Sequence, residues 1–98
     1  MVTFDDVIRT FKSKRLAELW GTGKTARIDV RMHRRIMLRL ERLELATTPD
    51  QLNTPGFNFH PLQGFKPRRY SMHVNGPWCI TFEFENGEAH AIDFEQYH

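Results

Sequence analysis

The sequence predicts an α+β domain, with an antiparallel meander sheet packed against two N-terminal helices. Three observations lead there. Between Val30 and Ala46 the apolar residues recur at three- and four-residue spacing, which is the helical period. Beyond Gly56 the period changes to two, as in strands with one buried face. Two Asn-Gly pairs, Asn75-Gly76 and Asn86-Gly87, sit between alternating runs and read as tight turns, so successive strands run antiparallel. Helices first and strands second make an α+β layer pair. Ninety-eight residues enclose about one hydrophobic core, so residues 1–98 read as a single domain.

The elements follow in order. Val7 to Phe11 alternates and is expected to form an edge strand. Ser13 is a candidate cap for a short helix, Lys14 to Trp20, which the Gly21-Thr22-Gly23 breaker stops. Asp29 is the N-cap of the longest helix, Val30 to about Ala46. Its apolar stripe is Met32, Ile36, Leu40 and Leu43, widened by Met37, Leu38 and Leu45. Arg31, Arg35, Arg39 and Arg42 form a second stripe at the same spacing. Thr48-Pro49-Asp50 ends the helix, and Asn53 to Gly56 is a loop. Phe57 and Phe59 then alternate with Asn58 and His60, and Tyr70, Met72 and Val74 with Ser71 and His73. Trp78, Ile80, Phe82 and Phe84 should face the core, with Cys79, Thr81, Glu83 and Glu85 opposite. His90, Ile92 and Phe94 follow in the last strand.

Composition narrows the partners. The net charge is only +2, but every Lys and Arg lies at or before Arg69, and every charged side chain after it is acidic. Such asymmetry fits a surface that meets a polyanion; a solvated helix face explains it about as well. The lone cysteine, Cys79, cannot close an internal disulfide, which suits a reducing compartment. The N-terminal residues lack the basic-then-apolar run of a signal peptide, and no segment approaches a membrane span. The cytoplasm is the expected location.

Gly21-Thr22-Gly23-Lys24-Thr25 resembles part of a phosphate-binding loop, but Glu18 stands where the first glycine belongs and a helix precedes it. That reading fails, although Lys24 remains a candidate phosphate contact. None of the five histidines has the i, i+4 spacing of a zinc pair, so neither a metal nor a cofactor is expected. His33, His73 and His90 read as ordinary polar residues. His60 differs in its neighbourhood: Pro61, Gln63 and Gly64 follow it, then Lys66, Arg68 and Arg69. An imidazole beside a basic loop can move a proton while the cations hold a phosphate. The ending Gln96-Tyr97-His98 adds a phenol, an imidazole and rings able to stack on bases, unless it is a frayed tail. The arginine stripe is either a phosphate-backbone platform or a solvated face.

Three segments carry a family resemblance: His60-Pro-Leu-Gln-Gly64, Asn75-Gly-Pro-Trp78-Cys-Ile-Thr-Phe82 and Phe94-Glu-Gln-Tyr97-His98. In order and spacing they resemble HigB-type toxins of the RelE superfamily (the plasmid maintenance killer family), which show His-Pro-Leu-Lys-Gly, Asn-Trp-Arg-hydrophobic-Thr-Phe and Tyr-Glu-Asp-Tyr-His. The resemblance implies the RelE-like microbial ribonuclease fold and the toxin of a type II toxin–antitoxin system. It further implies a metal-independent mRNA endoribonuclease that works in the ribosomal decoding site and inhibits translation. There the RNA 2′-hydroxyl attacks the adjacent phosphate. The implied partners are mRNA on the ribosome and a helix-turn-helix, HigA-like antitoxin. His60, Tyr97 and His98 carry over as catalytic residues, with Gln96 beside them. Gln63 and Cys79 fall at phosphate-binding positions where the family has lysine and arginine, and Gln96 replaces an acid. Lys66, Arg68 and Arg69 are then the nearest cations for the phosphate. Lys24, Arg27, Arg31, Arg35, Arg39 and Arg42 are the expected ribosome contacts. The alternative is a catalytically weakened module that binds antitoxin or ribosome without efficient cleavage.

Overall fold

The computed structural model describes residues 10–96. Two helices, α1 (Lys14–Thr22) and α2 (Val30–Leu45), precede a 3-10 turn at Pro49–Leu52. Four strands follow: β1 (His60–Leu62), β2 (Arg69–Asn75), β3 (Trp78–Glu85) and β4 (Glu88–Gln96). They pair antiparallel in the order β1-β2-β3-β4, the expected meander. The α+β architecture read from the sequence is therefore the observed one. Most of the N-terminal strand expected over Val7 to Phe11 lies outside the described residues; Phe11 itself makes an isolated parallel bridge to Ile92.

Caps set both helices. The Ser13 hydroxyl accepts from the Leu16 amide at 3.1 Å, satisfying one otherwise orphaned donor of α1. The helix runs two residues past Trp20 and ends at Gly23, whose φ of +85° admits the left-handed cap that a side chain would resist. At α2 the Asp29 carboxylate accepts from the Arg31 amide at 2.9 Å. It also takes two bonds from the Arg31 guanidinium. That guanidinium, more than the amide, draws the Asp29 pKa down to about 2.

The core lies between the helices and one sheet face. Leu16 and Leu19 of α1 and Met32, Ile36, Leu40 and Leu43 of α2 pack with Met72, Val74, Ile80, Phe82, Ile92 and Phe94. Met37 joins their margin, but Leu38 and Leu45 do not: they are 50% and 76% exposed. At 100° per residue the two leucines stand too far from the Ile36–Leu40–Leu43 seam to reach the sheet.

Arg39 departs further from expectation. It is buried, with its Nε donating to the His73 carbonyl at 2.6 Å and its terminal nitrogens to the Gly56 and Arg35 carbonyls. Its guanidinium lies 4.5 Å from the Phe57 ring centroid. Burial, then the nearby Arg35 charge, pulls its pKa below the usual guanidinium value. Arg39 is thus a strut between α2, the Gly56 loop and β2, closed to any outside phosphate. Arg39→Met should remove the side-chain donor from the His73 and Gly56 carbonyls and cost on the order of 3 kcal/mol. Thermal melting should then fall by more than about 10 °C, whereas Arg42→Ala on the exposed side should barely move it. Equal melting temperatures would remove the strut role.

The hairpins show why the turns are legible. Asn86 and Gly87 both have positive φ, 53° and 76°, as a two-residue turn matching strand twist demands. Gly76-Pro77 joins Asn75 to its partner Trp78. β4 carries a bulge: Thr81 faces Asp93 but Glu83 faces His90, so one extra residue is accommodated. Ala91 takes it up at φ 50°. The bulge turns Ala89, not His90, toward the core beside Ile92 and Phe94, against the simple alternation expected there. It also lets the Ile92 carbonyl accept from the Lys12 and Ser13 amides, pinning the start of α1 to the sheet.

Candidate active site

The sheet face away from the helices carries the chemistry. Alternation and register place His60, Ser71, Thr81 and Asp93 in one row across the four strands. His73, Cys79 and Glu95 form the next row. A cleft of about 370 Å³ opens on this face, lined by Asn58, His60, Leu62, Ser71, His73, Gly76 and Cys79. Cys79, 8% exposed, is absent from the helix-side core and faces the cleft with His60, as its place opposite Ile80 and Phe82 predicts.

His60 opens β1, an edge strand that tolerates Pro61 because no further strand among the described residues needs its missing amide. The preceding residues place its ring. Asn58 adopts φ 47°, a left-handed conformation that asparagine accepts more readily than most residues. Its carbonyl then lies 2.8 Å from His60 Nδ1. A carbonyl can only accept, so in the neutral ring Nδ1 carries the proton and Nε2 keeps its lone pair. His60 is solvent-exposed and so open to a ligand. Phe57 and Phe59 on either side of Asn58 anchor the segment: Phe57 is buried, and Phe59 stacks on Tyr70 at 5.5 Å.

The other expected site residues separate into groups. Gln63, Lys66 and Arg68 are exposed on the loop that joins β1 to β2. Among the described residues neither Lys66 nor Arg68 pairs with a carboxylate. Arg69, named with them as a phosphate cation, is 6% exposed and engaged internally. It donates to Glu83 at 3.3 Å, to the Thr81 hydroxyl at 3.1 Å and to the Ala91 carbonyl at 2.8 Å, so it cross-links β2, β3 and β4. The Thr81 hydroxyl in turn donates to Glu95. Gln96 is exposed opposite Trp78, the neighbour of Cys79. Tyr97 and His98, which follow it, lie outside the described residues.

The proposed ribosome contacts divide as well. Lys24, Arg27, Arg31, Arg35 and Arg42 are exposed, and Arg39 is not. Arg27 pairs with Glu18 and Arg31 with Asp29, so part of this charge is neutralised locally. Glu18 also accepts from Thr25 at 2.6 Å, and that bond first, then Arg27, lowers its pKa. A carboxylate therefore lines the Thr22–Thr25 loop, where a phosphate-binding loop would need donors.

His73, read from the sequence as an ordinary strand residue, is a cleft residue. Its Nε2 lies 3.0 Å from the Gly76 carbonyl, so neutral His73 donates there and turns Nδ1 elsewhere. The Gly76-Pro77 turn, one residue past the expected Asn75-Gly76, sets the register that puts His73 beside Cys79. His33 bonds the Ile28 carbonyl at 2.8 Å and is half-buried, as an ordinary polar histidine would be. Among the described residues no three His, Cys, Asp or Glu side chains converge to hold a metal ion. No helix among them is long and apolar enough to cross a membrane.

Residues 9–98 match the family model described as RelE-like toxin of type II toxin-antitoxin system HigB. The chain belongs to the HigB-like toxin family. A similar protein is the endoribonuclease HigB of Proteus vulgaris, 36% identical over 92 residues that cover 94% of this chain and all of the relative. Two helices before a four-stranded antiparallel sheet fit the RelE-like fold. Membership in a type II toxin family also implies an antitoxin partner for this HigB-like chain.

Proposed function

We propose that this protein is a ribosome-dependent mRNA endoribonuclease, the translation-inhibiting toxin of a type II pair, acting in the cytoplasm. The observation that carries the reading is the exposed His60 ring, held through Nδ1 by the Asn58 carbonyl on a cleft, with Lys66 and Arg68 on the loop after β1 and without a carboxylate partner among the described residues. The RNA 2′-hydroxyl attacks the adjacent phosphorus while His60 Nε2 removes its proton. Lys66 and Arg68 supply charge to the phosphate as negative charge develops on its oxygens. Tyr97 and His98, following Gln96, complete the site by family resemblance, with a proton passing to the leaving 5′-oxygen. The exposed Lys24, Arg27, Arg31, Arg35 and Arg42 favour the ribosomal RNA backbone, and a helix-turn-helix antitoxin silences the protein.

A second reading has its own observation. Cys79 lines the cleft where the resembling toxins carry arginine, and Arg69 is spent inside the sheet. A module that binds antitoxin or ribosome with little cleavage follows from that shortage of cations. Induced expression in growing bacteria, with 5′-end mapping of transcripts, separates the two. New 5′ ends within translated codons, absent when initiation is blocked, are expected for the nuclease. Growth arrest without such ends would favour the binding module.

A further inference from the structure

We propose that Phe65 is a stacking platform for an unpaired base of the mRNA being cut, next to the nucleotide at His60; this rests on the endoribonuclease reading above. Phe65 sits on the Gln63–Arg68 loop joining β1 to β2 and is 43% exposed. It is the one exposed Phe, Tyr or Trp among the described residues; the others are buried or half-buried. A lone exposed apolar side chain needs no explanation. Phe65 differs from Val30, Leu38 and Leu45 in carrying an aromatic ring, and it has cations nearby: Lys66 follows it directly, Arg68 is three residues on, and neither pairs with a described carboxylate. An aromatic ring followed by cations is the pairing that holds single-stranded RNA, ring on base and cation on phosphate.

Position selects the substrate strand. Leu62, the last β1 residue, lines the cleft and pairs with Arg69, so the loop springs from the cleft's edge. His60 is two residues earlier, about 7 Å along the strand at the usual rise. A base flanking the nucleotide at His60 would therefore meet the loop before any part of the helices. Leu62 lines the cleft and Phe65 stands three residues beyond it on the loop, whereas the exposed leucines belong to α2, packed on the opposite sheet face. The face of the ring suits any base, so Phe65 would hold the strand without fixing a codon.

The test programs ribosomes with an mRNA whose decoding-site codon lacks 2′-hydroxyls, which keeps it whole. 5-Bromouridine is walked through the flanking positions. Irradiation with the wild-type protein should crosslink one flanking position to the peptide containing Phe65. A crosslink of that peptide to ribosomal RNA only, or none at all, overturns the proposal. On cleavable mRNA, Phe65→Ala should lower kcat/KM about tenfold, chiefly through KM. Phe65→Tyr should restore it and Phe65→Leu should not, with all three keeping the wild-type melting temperature. Equal cleavage by the alanine, leucine and wild-type proteins removes the stacking role while leaving the nuclease reading intact. If the wild type does not cut, the nuclease reading fails, and the crosslink still decides whether Phe65 meets mRNA.

Discussion

His60→Ala should lower ribosome-dependent cleavage by roughly 10²–10⁴-fold, the usual contribution of a positioned proton-transfer group. The protein should still bind ribosomes and melt normally, because the His60 ring is exposed and outside the core. The Nδ1 bond to the Asn58 carbonyl gives a sharper form of the prediction. His60→Gln can offer its amide nitrogen to that carbonyl but has no basic lone pair, so it should be nearly as inactive as alanine. Single-turnover cleavage on programmed ribosomes measures both variants. Wild-type rates in either would remove His60 from the chemistry and leave the tail residues to carry it.

Cys79→Arg is the opposite experiment, with a gain of about 10²–10³-fold expected. Cys79 lines the same cleft as His60, two strands away, and its thiol makes only a 3.8 Å contact with the Pro77 carbonyl. A guanidinium there would bring a permanent, planar donor to the phosphate. The cleft, about 370 Å³, has room for it. Growth arrest on induction and the cleavage rate should rise together, and His60→Ala in the same background should cancel the gain. A folded Cys79→Arg protein with unchanged cleavage would mean that Lys66 and Arg68 already satisfy the phosphate.

The elements were legible because local chemistry and tertiary structure agree. Ser13 and Asp29 cap the helices they were expected to cap, and the Asn86-Gly87 turn has the positive φ values its residues favour. Cys79 could be placed because strand alternation needs only the neighbouring Ile80 and Phe82. Arg39 and Arg69 were misjudged as solvent-facing for a common reason. Composition marks an arginine as exposed, yet a long side chain can reach carbonyls far along the chain, such as His73 from Arg39. The Ala91 bulge left no trace either, because alanine is not a residue that advertises positive φ. His73 was passed over since its importance depends on a neighbour in another strand.

The bonds around Thr81 have a direction. Arginine can only donate, so the Thr81 oxygen must accept from Arg69, and its single hydroxyl proton goes to Glu95. The polarity therefore runs one way, from a cation in β2 through a neutral hydroxyl in β3 to a carboxylate in β4. Serine at position 81 would preserve that polarity. Valine, of nearly the same shape, would leave Arg69 one acceptor short and Glu95 without its donor. Glu95 is also the strand partner of Cys79 and stands just before Gln96-Tyr97-His98. The Glu95 carboxylate is thus linked to Arg69 through one rotatable hydroxyl, so a methyl-for-hydroxyl exchange at Thr81 would unlink that side chain while the backbone ladder keeps β4 in place.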